Sequence, residues 1–172
     1  MTPIAELLFR FRKDWQSPRV GRSGPLSLVC RFSAGLSDQQ LSAVFKVPLP
    51  PELTELWNAS GDCFLFLDHE YGQWGLHLLS PFDAENETSL FGQERARDAM
   101  PGDLVIGTFL GDSDLLLIRC DPNAGDFGHL IVATPLDRRA DWHVVSTSLG
   151  VFLKQYEAAE GAKFWEPQRS PP

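Results

Sequence analysis

Two apolar runs, DLVIGTFL (103–110) and LLLIRC (115–120), stand on either side of a four-residue break, GDSD (111–114). Apolar residues at consecutive rather than alternating positions describe strands covered on both faces. Gly111, Asp112 and Ser113 tolerate the backbone angles of a tight connection. The stretch therefore predicts a hairpin at the centre of a sheet, and the rest of the chain has to cover it. A ligand loop is the competing reading of GDSD. A calcium loop of the EF-hand type counted from Asp112 needs an oxygen ligand at the fifth position and glycine at the sixth. Leu116 and Leu117 stand there. A phosphate-transfer aspartate pair wants Thr or Val at 116, and no Gly-Lys-Ser/Thr loop or Gly-x-Ser-x-Gly elbow occurs.

Around that hairpin the pattern divides. Thr2-Pro3 predicts a helix start, with Ile4, Leu7, Leu8 and Phe11 on its buried face and an end near Ser17-Pro18. LSLVCRF (26–32) predicts a short edge strand or packed loop. Ser37 and Gln40 form a capping box, followed by a stripe of Leu41, Val44 and Phe45. VPLPP breaks that helix. The next starts on Pro51, buries Leu53, Leu56 and Trp57, and closes on Gly61 as its cap. CFLFLD and QWGLHLL flank DHEYG as a second hairpin. Residues 80–100 predict one or two helical turns on a long polar connection, with Phe82 and Leu90 as anchors. HLIVATP and DWHVV are further short strands. STSLGVFLKQYEAAEG predicts a last helix capped at 146–148, burying Leu149, Phe152, Leu153 and Tyr156 and stopping at Gly161. This order predicts an α+β fold: a mixed, mostly antiparallel sheet of about five to six strands with helices packed on one side.

Charge narrows the function. The formal net charge is −8, which opposes a phosphate-backbone binder. Residues 1–47 hold seven basic and three acidic residues, and between Lys46 and Arg95 there is no Lys or Arg. Asp62, Asp68, Glu70, Asp83, Glu85 and Glu87 fall in that gap and are the candidate partner-binding residues, if they share a face. Cys30, Cys63 and Cys120 are widely spaced without a CxxC, so they predict no zinc or redox site and suit a reducing compartment. The N-terminus lacks signal-peptide order and no apolar run reaches about 20 residues, so the expected location is cytoplasmic. His69, between Asp68 and Glu70, lacks a second ligand at hairpin or helical spacing, and His77, His129 and His143 lie in strand-like runs. No metal, cofactor or catalytic residue is predicted. Arg138, Arg139 and Asp141 read as surface ion pairing. Trp165 is expected to be partly exposed.

LPPELTELWNASG, GQWGLHLLSP, DLVIGTFLGDSDLLLIRCDP, FGHLIVAT and DWHVVSTSLGVFLKQY, taken together, resemble the SUKH superfamily (Smi/Knr type) over about residues 37–160. The usual Asn-Gly after the Leu-Pro helix is stretched here to Asn58-Ala-Ser-Gly61, and residues 1–36 match nothing in the family. The resemblance divides the chain into an extra helix and loop (1–36), a SUKH-like domain (37–165) and a flexible tail (166–172). It implies the same α+β fold and a non-enzymatic, protein-binding role. Many members are immunity proteins that block a cognate toxin, often a nuclease, by covering its active site. Others are regulatory or scaffold domains, and a metal-dependent enzyme using Asp112, Asp114 and His69 is the remote alternative. The implied partner is a basic protein, because a nuclease site that holds phosphates is basic. Direct nucleic-acid or membrane binding is not expected.

Overall fold

A computed structural model describes residues 1–22 and 24–167. The expected loose tail therefore lies outside the described residues from position 168 on. The elements run α1 (Pro3–Trp15), β1 (Arg19–Val20), β2 (Ser27–Phe32), α2 (Asp38–Val44), α3 (Pro51–Ala59), β3 (Cys63–Asp68), β4 (Leu76–Leu78), α4 (Pro81–Glu94), β5 (Asp103–Phe109), β6 (Leu115–Arg119), β7 (Leu130–Ala133), a 3-10 turn (Arg139–Asp141), β8 (His143–Ser146) and α5 (Leu149–Ala158). The strands form one eight-stranded sheet in sequence order, each antiparallel to the next. That exceeds the expected five to six strands, because two-residue β1 carries no strand signal of its own and LSLVCRF, left open as edge strand or packed loop, forms the full strand β2.

The GDSD stretch is the turn of the β5–β6 hairpin. Phe109 N–H donates to the Asp114 carbonyl at 2.8 Å. Gly111 has φ +98° and Ser113 φ +65°, and a Cβ on Gly111 would meet the Gln73 carbonyl oxygen at 2.3 Å. Glycine is required there twice over, for its dihedral and for the neighbouring turn. Leu104, Val105, Ile106, Leu116, Leu117 and Ile118 are all buried, as central strands covered on both sides must be.

Cross-strand register identifies what covers each side. Phe109 packs on Tyr156 and Trp165, so its side of the sheet faces α5. Phe66, on the same side, meets Phe11, Trp15 and Tyr156. Here α1, α3 and α5 form one layer. Ile4, Leu7, Leu8, Phe11 and Trp15 of α1 are each at most 3% exposed, and each contributes about 2 kcal/mol by leaving water. The N-terminal helix is thus part of the core. Thr108, Leu115 and Ala133 pair across the strands on the opposite side. There α4 lies: Leu90, Phe91 and Arg95 share a surface hollow with Leu115 and Ala133. The helices therefore do not all pack on one side; α4 crosses the other face.

Three local expectations need correction. Residues 81–94 form a 14-residue helix rather than one or two turns. Its buried stripe is Pro81, Ala84 and Phe91, joined by Thr88, whose hydroxyl donates to the Ala84 carbonyl and accepts from Val105 N–H at 2.8 Å. Small and polar residues hide such a stripe from a hydrophobicity count. Phe82 and Leu90, expected as anchors, are 64% and 45% exposed. Of the α2 stripe only Leu41 is buried; Phe45 stacks half-buried on Trp57. Gly61 is not a helix cap: α3 ends on Ser60 in extended conformation. A Cβ on Gly61 would instead meet the Ala34 carbonyl oxygen at 2.8 Å, so the glycine admits the 33–36 segment. The caps at Thr2, Ser37 and Ser148 form as expected. No helix among the described residues is long and apolar enough to cross a membrane.

Candidate functional site

The carboxylates fall into two populations. The first is neutralised inside the fold. Asp103 opens β5 opposite Arg119 of β6, and the two meet at 2.7 Å with each side chain 3% exposed. Arg139 reaches the same carboxylate at 2.6 and 2.9 Å, while Asp126 takes the other side of Arg119 at 2.9 Å. Asp98 accepts from Arg139 N–H and from Arg95. Those bonds, the backbone one first, hold its carboxyl below the usual range against the opposing effect of burial. Arg139 is therefore not in a surface ion pair, as expected from the sequence, but in a network that ties the 137–141 loop to the entry of β5. Burial opposes the charge on Arg119, but the hydrogen bonds it donates to Asp126 and Asp103 outweigh it and raise its pKa.

The GDSD carboxylates belong to this population too. Lys163, with its side chain 9% exposed, donates to both Asp112 and Asp114. Burial opposes the charge on Lys163, but these bonds outweigh it and raise its pKa. The Lys163 ammonium thus occupies the place between the two carboxylates. Among the described residues no three His, Cys, Asp or Glu side chains are arranged to hold a metal ion.

The second population is on α4. Its sequence carries Asp83, Glu85, Glu87 and Glu94 and no Lys or Arg. Ser80 and Asp83 cap its start reciprocally: Ser80 accepts from Asp83 N–H and donates to the Asp83 carboxylate. Asp83, Glu85 and Glu94 are exposed and Glu87 is half-buried. Among the described residues none of these four lies in an ion pair. The exposed Phe82 and Leu90 rise from the same helix. An apolar side chain set among uncompensated carboxylates presents both contact area and a steering field.

Of the six candidate residues, the structure groups Asp83, Glu85 and Glu87 on α4 and separates the others. Asp62 lies just before β3, at the strand end from which α4 departs, and its carboxylate meets His77 Nε2 at 3.3 Å. That imidazole stacks on Phe64 with ring centroids 4.0 Å apart. Asp68 ends β3, about 20 Å away at strand rise, and is 3% exposed. Its carboxylate accepts from Glu70 and Tyr71 N–H, which fixes the turn and removes it from the surface. Glu70 is exposed on that turn. His69 and His143 are exposed and His129 is half-buried. Trp165 is partly buried against Phe109 and Phe152.

The cysteines are free and buried. Burial pushes the Cys30 and Cys120 thiols up to about 12, so they are packing groups rather than nucleophiles. Sequence reading missed the Asp103–Arg119 pair, though its signal was present: folding the two apolar runs about GDSD places Asp103 opposite Arg119. It also missed Leu136, 97% exposed, for which no local pattern gave notice.

No curated protein matches the chain. The model of the SMI1 / KNR4 family (SUKH-1) matches residues 36–155. That span runs from the entry to α2 into α5 and leaves α1 to β2 outside it. With most of the chain inside the match and an α+β fold built on the antiparallel sheet, this chain belongs to the SMI1 / KNR4 family (SUKH-1).

Proposed function

We propose that the chain is a non-enzymatic protein-binding domain of the immunity type, which neutralises a cognate bacterial toxin by covering its active site. The observation that carries this reading is α4, a helix with four carboxylates, no cation and two exposed apolar side chains. A nuclease active site holds phosphates and is basic, so it suits such a surface. Complementary potentials accelerate encounter by one to three orders of magnitude, and salt removes the gain. The partner is then a basic protein that meets α4 over its outward side, with Asp83 and Glu87 on one flank of the helix and Glu85 on the other, and with Asp62 at the border. Asp68 has no part in it, because its carboxylate is committed to its own turn. The free thiols support a reducing, cytoplasmic setting.

The test is the association rate with a basic polypeptide that the chain captures. Asp83→Lys, Glu85→Lys and Glu87→Lys together are expected to slow association at least about tenfold at low ionic strength. An unchanged low-salt rate would sink the reading.

A further inference from the structure

Beside α4 stands a loop that is unusually well held for one that ends in a bare leucine. Leu136 is 97% exposed. Yet its neighbours are fixed on both sides: Arg95 donates to the carbonyls of Thr134 at 3.2 Å, Pro135 at 2.9 Å and Asp137 at 2.5 Å. Trp142 Nε1 also donates to Asp137 at 3.2 Å, and the Thr134 hydroxyl donates to the Asp137 carboxylate at 2.6 Å. The ordering cost that binding usually imposes on a loop is already met. Next to this knob is a hollow of about 300 Å³ with an apolar floor of Phe91, Leu115 and Ala133 and with Leu90, Glu87 and Glu94 at its margin. Among the described residues the one cation lining it, Arg95, is spent on Asp98 and the three carbonyls. The margin therefore keeps a negative field over an apolar floor.

We infer that this hollow seats one apolar side chain of the partner, carried between Lys or Arg residues, and that Leu136 packs beside it as the protruding contact. The occupant is a protein segment with a basic-apolar-basic pattern. A nucleic acid would meet like charge at the rim. The inference rests on the reading of the chain as a binder of a basic protein, and it adds where the apolar anchor goes.

The test uses the full chain with isotope-labelled methyl groups and backbone amides, titrated at low salt with two synthetic peptides. One is lysine-rich with a single central leucine; the other has serine in place of that leucine. The leucine peptide is expected to shift the methyl resonances of Leu90, Leu115 and Leu136, and to bind about fivefold or more tighter than the serine peptide. Leu136→Ala and Leu90→Ala, both at exposed positions, should each reduce that preference while leaving the lysine-driven shifts along α4. Equal binding of the two peptides, with backbone amide shifts at Asp83 and Glu85 but none at the Leu115 and Leu136 methyls, overturns the inference and leaves the basic-partner reading standing. No shift on α4 from either peptide overturns both.

Discussion

The entry to β5 and the outer side of α4 are both rich in acid, and they use it in opposite ways. At the entry to β5, Asp98, Asp103 and Asp126 are matched by Arg95, Arg119 and Arg139. The innermost pair is 3% exposed, so neither partner can be removed without leaving a charge in a dry site. On α4 four carboxylates face outward with no cation among them. Exposed charges of this kind add little to stability. The contrast teaches that net charge is a poor guide to function until it is divided by location. The internal charges position α4, because Arg95 and Asp98 pin the end of the helix to the 134–139 loop. The external ones are left available.

Breaking the internal set should have the largest effect. Asp103→Ala leaves Arg119 with Asp126 as its one carboxylate and Arg139 with none, and is expected to cost about 3 kcal/mol in urea unfolding. Next is Lys163→Met, which leaves Asp114 buried and unpaired against Asp112. A loss of about 1–3 kcal/mol is expected, read as a lower urea midpoint at unchanged slope.

The alkaline limb of stability sharpens the picture of the interior. Cys30 and Cys120 have folded pKa values raised to about 12, against an unfolded value of about 8.5. Above that lower value the unfolded chain has lost protons that the folded chain keeps, so stability falls as pH rises. Thermal melts should decline from about pH 8.5 upward, and Cys30→Ala with Cys120→Ala should flatten the decline whatever its effect at neutral pH. At the acid end Asp98 works the other way. Its depressed pKa gives stability that is present above the ordinary carboxylate value and is lost as pH falls through the lower folded one. The smallest effect belongs to the outer surface: Glu85→Lys with Glu87→Lys should change unfolding free energy by no more than about 0.5 kcal/mol per site.

What the sequence made legible follows the same division. The β5–β6 hairpin, α1 and α5 were readable because each is dominated by local rules: continuous apolar runs about a glycine turn, or an N-cap followed by an apolar stripe. α4 was not, because its buried stripe runs through Ala84 and Thr88 and its apolar Phe82 and Leu90 point outward. Its Ser80-Pro81-Phe82-Asp83 start was the one local sign of a true helix. Asp68 looked like a surface acid and is a turn anchor. Arg139 looked like a surface base and lies against Asp103, 36 residues earlier in the chain. Both misplacements come from tertiary partners that spacing alone does not reveal. The candidate site was half legible: the cation-free stretch was visible, but only the fold separates Asp83, Glu85 and Glu87 from Asp68.

The measurement that tests the central claim most directly is affinity capture from the chain's own host lysate, at low and high salt. It would compare the unmodified chain with the Asp83→Lys, Glu85→Lys, Glu87→Lys variant. The account predicts one stoichiometric basic polypeptide that is retained by the unmodified chain at low salt, weakened by high salt and lost by the variant. Capture of nothing, or of the same polypeptide equally by both proteins, would contradict it and return α4 to ordinary solvated surface.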